Sequence, residues 1–111
     1  MPILKLKDLD EQYVTPKHST AYGRLVTGQQ VELGVLTYKA GQGAKMHAHP
    51  QEQIFLILKG RMRMTLGDEV AEIGPGEVAH MPPNVPHMVE VLEDSEVVSC
   101  KSMVGGAGHK I

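Results

Sequence analysis

The chain has 111 residues, enough for one domain around one core and too few for a second catalytic module. Its 11 Lys and Arg nearly balance 13 Asp and Glu, at a net charge of −2, so it carries no electrostatic footprint for nucleic acid or an anionic membrane surface. A single cysteine excludes an intrachain disulfide, and no apolar run approaches the length of a membrane span; the expectation is a cytoplasmic protein acting on a small soluble molecule.

Twelve Gly and seven Pro divide the sequence into short pieces rich in Val, Ile, Leu, Thr and Met. No stretch sustains a helical period for three turns, which predicts an all-β fold. Residues 1–29 are the least regular and read as an extension, with an edge strand at Ile3 to Leu6 and a helical turn after it. From Gln30 to Ala40 apolar and polar residues alternate, Val31, Leu33 and Val35 against Glu32 and Gly34, until Gly41-Gln42-Gly43 ends the run. Lys45 to His49 is a second strand, interrupted by Pro50. Gln53 to Lys59 is a third, apolar enough to suggest burial on both faces, and Gly60 turns it. Arg61 to Leu66 alternates with Met62, Met64 and Leu66 on one side, and Gly67-Asp68 is a hairpin signal. Val70 to Ile73, Glu77 to Met81, His87 to Leu92 and Glu96 to Met103 follow, and Gly105-Gly106-Ala107-Gly108 reads as a loose tail. About eight short strands at this spacing predict a double-sheet jelly roll or small barrel.

The residues that carry chemistry stand on a grid. Gly41 is followed after five residues by His47, then after one by His49, after three by Gln53 and after six by Gly60. Fifteen residues later a second block opens at Gly76 and runs through Pro82, Asn84, His87 and Val91. Histidines at i and i+2 on a strand share a face. A glutamine and a third histidine arriving from neighbouring strands would complete a cluster around one divalent metal. A His-x-His pair by itself is more commonly exposed or hydrogen-bonded; four donors in register change that balance.

Both blocks keep the intervals of the two cupin motifs, over residues 41–60 and 76–91, and the chain resembles a single-domain cupin across 1–111. The run His47-Ala48-His49-Pro50-Gln51-Glu52-Gln53 is similar to that of small bacterial cupins of the pectin-degradation type, which process unsaturated uronates and also use glutamine as a ligand. The resemblance implies a jelly-roll barrel, a homodimer, and one divalent transition metal (Fe, Mn, Ni, Co or Zn) held by His47, His49, Gln53 and His87. It departs from most cupins at Gln53, where glutamate is usual, at Asn84, where glycine is usual, and at Val91 in place of asparagine. A neutral Gln53 leaves the ion its full charge and makes it the stronger Lewis acid. Asn84 tolerates the left-handed turn glycine would take.

The implied activity is an isomerase or lyase reaction on a keto, enol, uronate-like or carboxylate substrate. The alternatives are an Fe(II)-dependent dioxygenase and a non-enzymatic small-ligand-binding cupin. His80 is the candidate base, and Tyr38, Phe55, Arg24, Lys101 and Met103 are candidate walls of the substrate pocket, with core packing or solvent exposure as the plainer reading of each. Glu52, adjacent to Gln53, falls on the opposite face of its strand. Cys100 is expected to be buried and inert.

Overall fold

Glycine and proline positions fix where strands stop, and β-branched and aromatic residues fill the pieces between them. The structure is a computed structural model that describes residues 3–111. Among these a 3-10 turn at Leu6–Asp8 precedes eight strands: β1 Gln12–Tyr13, β2 Tyr22–Thr27, β3 Val31–Tyr38, β4 Gly43–His47, β5 Gln53–Leu66, β6 Glu69–Ile73, β7 Val78–Met81 and β8 His87–Ser102. The helical turn is where the sequence places it, but Ile3 to Leu6 form no strand, and the edge of the sheet is β1 instead. Met1 and Pro2, which open the expected extension, lie outside the described residues.

The two long strands, β5 and β8, organise everything else. The first part of β8 pairs with β4, from Gly43↔Glu90 to His47↔His87, and its second part pairs with β3, from Val31↔Ser102 to Tyr38↔Ser95. Strand β5 runs antiparallel along both parts of β8, carrying β7 beside Gln53–Leu56 and β6 beside Met62–Leu66. Because each long strand serves two half-sheets, the halves form the opposing walls of a jelly roll, as predicted.

Two expected breaks, at Gly60 and between Leu92 and Glu96, therefore lie within the continuous strands β5 and β8. Gly60 does not turn the chain; it sits at φ +93° in the stretch of β5 where the register with β8 shifts. Gln53, Phe55 and Ile57 are buried before that shift, and Met62 and Met64 after it, so the inward face changes from odd to even positions. A Cβ on Gly60 would stand 2.2 Å from Ser95 Oγ and 2.5 Å from the Asp94 carbonyl. Only glycine fits there.

Two further expectations are corrected. Gln53 to Lys59 is buried on one face only, with Ile54 and Leu58 turned to the outside. The alternation in β3 is real, and its inner side is Glu32, Gly34, Leu36 and Tyr38, while Val31 and Leu33 face outward. Cys100 shares that outer face and is only partly covered. The core is made by Leu36, Phe55, Ile57, Met62, Met81 and Val97, each 2% exposed or less. Each side chain of this size contributes about 1.5–3 kcal/mol on burial.

Candidate metal centre

The cluster forms where β4 ends and β8 begins. His47 closes β4 directly opposite His87, the first residue of β8. His49 lies just past β4, in the connection to β5. Its carbonyl accepts the backbone N–H of Asn84 (2.8 Å), which reaches it through a left-handed turn at φ 65°. The departure at Asn84 thus keeps the turn and ties the second block to the first. Gln53, the first residue of β5, enters from the opposite wall.

Each ring is oriented by the backbone. The Nδ1 atoms donate to carbonyls two residues away, His47 to Lys45 (2.6 Å), His49 to Gln51 (2.9 Å) and His87 to Val85 (2.9 Å). A carbonyl oxygen can only accept, so each neutral ring carries its proton on Nδ1 and keeps a lone pair on Nε2. One ring nitrogen from each of the three histidines lies within 4.8 Å of the others. Burial, with Lys101 and His87 next, pushes His49 down to about 4. Burial also lowers His47 and His87, with the neighbouring cations reinforcing the shift. The cluster is uncharged at neutral pH, the state in which imidazole ligates.

Gln53 Oε1 stands 3.2 Å from His49 Nε2. With the His49 proton committed to Gln51, that contact sets one acceptor against another, an arrangement that a cation between them would relieve. The donors suit a divalent transition metal. Donors sharing one ion stand about 2.1 Å from it, so the rings would draw closer together around it.

Beside the rings is a cavity of about 30 Å³, the space of a single water molecule. Tyr38, Phe55 and Lys101, three of the candidate wall residues, line it. The Tyr38 and Phe55 rings stack at 6.2 Å, and Ser19 donates to the Tyr38 hydroxyl (3.5 Å). Lys101 is 3% exposed, and burial pushes its ammonium down to about 8, with Glu32 acting in the opposite direction. It is still protonated at pH 7.

The other candidates are elsewhere. His80 lies on the exposed face of β7 with Nε2 2.7 Å from Glu52 Oε2, so it does not reach the cavity, because the strand alternation that turns Ala79 and Met81 inward turns it out. Glu52 does face outward, as read. Arg24 donates to the Leu9 carbonyl and pairs with Glu11 on the outside of β2. Met103 follows β8 and sits close to Gly108, away from the cavity. Three residues the sequence reading missed stand behind Gln53: Ser99, His109 and Glu32, all buried and linked by hydrogen bonds. The glycine-rich tail is not loose. Val104 and Ala107 bridge to each other, and His109 is 2% exposed.

Comparison with known proteins agrees with this geometry. Residues 34–100 match the family described as Cupin domain. An uncharacterized protein of Methanocaldococcus jannaschii is 30% identical over 96 residues, 81% of this chain and 77% of that protein. The chain belongs to the cupin family. The H2HPP isomerase of Bacillus subtilis shares 39% identity over 54 residues, 48% of this chain but 23% of that protein. The solved structure of KdgF from Halomonas sp. superposes with a TM-score of 0.79, covering 92% of this chain and 93% of that one at 22% identity, a likeness of fold. No helix among the described residues is long and apolar enough to cross a membrane.

Proposed function

We propose that His47, His49, His87 and Gln53 hold one divalent transition metal (Fe, Mn, Ni, Co or Zn), and that the chain is a small-molecule isomerase or lyase acting on an oxygenated keto, enol or carboxylate substrate. The observation that carries this reading is the unresolved acceptor pair, His49 Nε2 against Gln53 Oε1 at 3.2 Å, at the edge of a neutral three-histidine cluster. When bound, such an ion acts as a Lewis acid that polarises a coordinated oxygen and acidifies the adjacent C–H or O–H.

The protein's own groups supply the rest. All four donors are neutral, and the buried Lys101 adds positive charge beside them, so the cavity favours an anionic oxygen. Lys101 Nζ takes the place of His80 as the group that holds that oxygen and exchanges a proton. Tyr38 keeps its proton, since burial raises its pKa, and it bounds the cavity with Phe55. The narrow space admits one or two substrate oxygens while the remainder of the molecule rests at the mouth.

Metal analysis followed by turnover under nitrogen tests the reading. A single ion per chain and conversion of keto, enol or uronate substrates without oxygen is the expected result. Oxygen consumption by iron-loaded protein on β-diketones or polyphenols would transfer the assignment to a dioxygenase. Tight binding of one small molecule without turnover would leave a binding module.

A homodimer completes the proposal. The outer face of β3, β8, β5 and β7 presents two apolar rows in register, Leu33–Cys100–Ile54 and Val35–Val98–Leu56–Val78. Ile54 is 48% and Val78 56% exposed. A contiguous apolar face of this kind is what a second copy would cover.

A further inference from the structure

Four polar side chains lead from the histidine cluster to the far wall of the barrel, and every link has a direction. Gln53 Nε2 donates to Ser99 Oγ (2.9 Å), Ser99 Oγ lies 2.8 Å from His109 Nε2, and His109 Nδ1 lies 2.6 Å from Glu32 Oε1. All four residues are 9% exposed or less, so bulk water cannot replace a missing partner.

The direction is set at the Glu32 end. Burial alone would raise this carboxyl, but hydrogen bonds from Thr27 and His109 outweigh it and leave the group below its usual range. As a carboxylate it only accepts: from the Thr27 hydroxyl, from the backbone N–H of His109 (2.6 Å) and from the His109 ring. Burial holds His109 down to about 4 in spite of Glu32, so the ring is neutral with its single proton on Nδ1. His109 Nε2 is then an acceptor, and the one hydroxyl proton of Ser99 must go to it. Ser99 Oγ is left free to accept from an amide N–H. An amide turned the other way would present its oxygen to Ser99 and compete with His109 for the same proton.

We propose that Glu32, His109 and Ser99 are positioning residues that decide which end of the Gln53 amide faces the ion, presenting Oε1 and withholding the NH₂. The inference rests on the metal reading above and adds how the fourth donor is oriented. A serine, a histidine and a carboxylate in line resemble a hydrolytic triad. Here Ser99 is 0% exposed and its oxygen is already occupied by Gln53, so the array orients an amide instead of attacking a substrate. Residues 104–109 act as its clasp: Thr15 donates to the His109 carbonyl (2.6 Å), and Gln51, whose own carbonyl orients His49, donates to the Ala107 carbonyl (2.8 Å).

Two measurements on the intact chain test the proposal. In metal-free protein at neutral pH, nitrogen NMR should find His109 protonated on Nδ1 with Nε2 bare; a proton on Nε2 would overturn the polarity. In titrations with Mn(II) or Co(II), Ser99→Ala should weaken binding roughly tenfold to a hundredfold, the usual effect of losing a group that orients a ligand, and should alter the Mn(II) EPR spectrum. Glu32→Ala, which removes the acceptor of the His109 Nδ1 proton, should weaken binding in the same direction, with the metal-free melting temperature confirming that it folds. In a Gln53→Ala background, Ser99→Ala should add nothing further, because it acts through Gln53. Parental affinity and spectrum in both variants, or a Ser99→Ala effect undiminished in that background, would overturn the inference while leaving the metal site standing. A parent chain that takes up no ion, yet shows the Nδ1 proton on His109, would instead remove the metal reading and this orientation role with it.

Discussion

The two halves of the barrel both bury an apolar core and differ in what they bury beside it. Where β5 runs beside β6, Met62, Met64, Val89 and Val91 point inward while Arg61 and Arg63 reach across the outer surface to Glu72. Where β5 runs beside β7, the interior adds Glu32, Gln53, Ser99, Lys101 and His109 to Leu36, Phe55, Ile57, Met81 and Val97, and Ile54, Val78 and Leu33 look outward. The first half is a conventional core. The second joins apolar burial to a polar network, tolerable because almost every buried group in it has a partner.

That contrast can be broken at its joint. Gly60 is where the inward phase of β5 changes, so Gly60→Ala forces a Cβ into Ser95 and Asp94 at a positive φ. It should cost about 3 kcal/mol or more in urea denaturation; a loss under about 1 kcal/mol would mean that the bend is not rigid. His87→Ala acts on the histidine cluster. It should abolish stoichiometric metal uptake and with it the stabilisation an ion gives the folded state, about 2.7 kcal/mol at a hundredfold excess over Kd, read as the loss of a metal-dependent shift in melting temperature.

Acid sharpens the comparison without mutation. His49 and His109 fall from 6.5 to about 4 in the folded protein. The unfolded chain therefore binds these protons first, and stability declines as pH falls from about 6.5 towards 4, by about 1–2 kcal/mol per pH unit from the two together. Hydrogen exchange on metal-free protein should show the half beside β7 opening first; uniform opening would contradict the distinction. The smallest effect on stability belongs to Ile54→Glu on the outer face, within about 0.5 kcal/mol for the folded monomer. Sedimentation should move from dimer to monomer at micromolar concentration, and a parent already monomeric there would remove the dimer proposal.

The conventional half was legible from the sequence because hydrophobic period and burial coincide there, as at Met62, Met64 and Leu66. The histidine cluster was legible for another reason: interval counts between glycines locate strand ends whatever faces inward. In β3 the period was legible and the inner face was not, since alternation identifies two sides without saying which is inside when the interior is polar. Ser99, His109 and Glu32 left no local trace. His109 lies 77 residues from Glu32, and the segment before it is rich in glycine, with no periodicity to read. Cys100 and Ile54 were assigned to the interior because apolar residues usually go there, an inference that fails on a surface a second copy would cover. His80 was misplaced for want of the register that turns it toward Glu52.

Strand β8 buries His87, Val89, Val91, Ser95, Val97, Ser99 and Lys101. These odd-numbered positions put the first ring of the cluster, the serine behind the amide and the buried ammonium on a single parity. Sliding the strand by one residue would expel all three at once and draw Met88, Val98 and Cys100 inside. Misthreaded chains would therefore keep His47, His49 and Gln53 without the third ring, the serine behind the amide or the buried ammonium, and correct threading becomes a precondition for the complete centre.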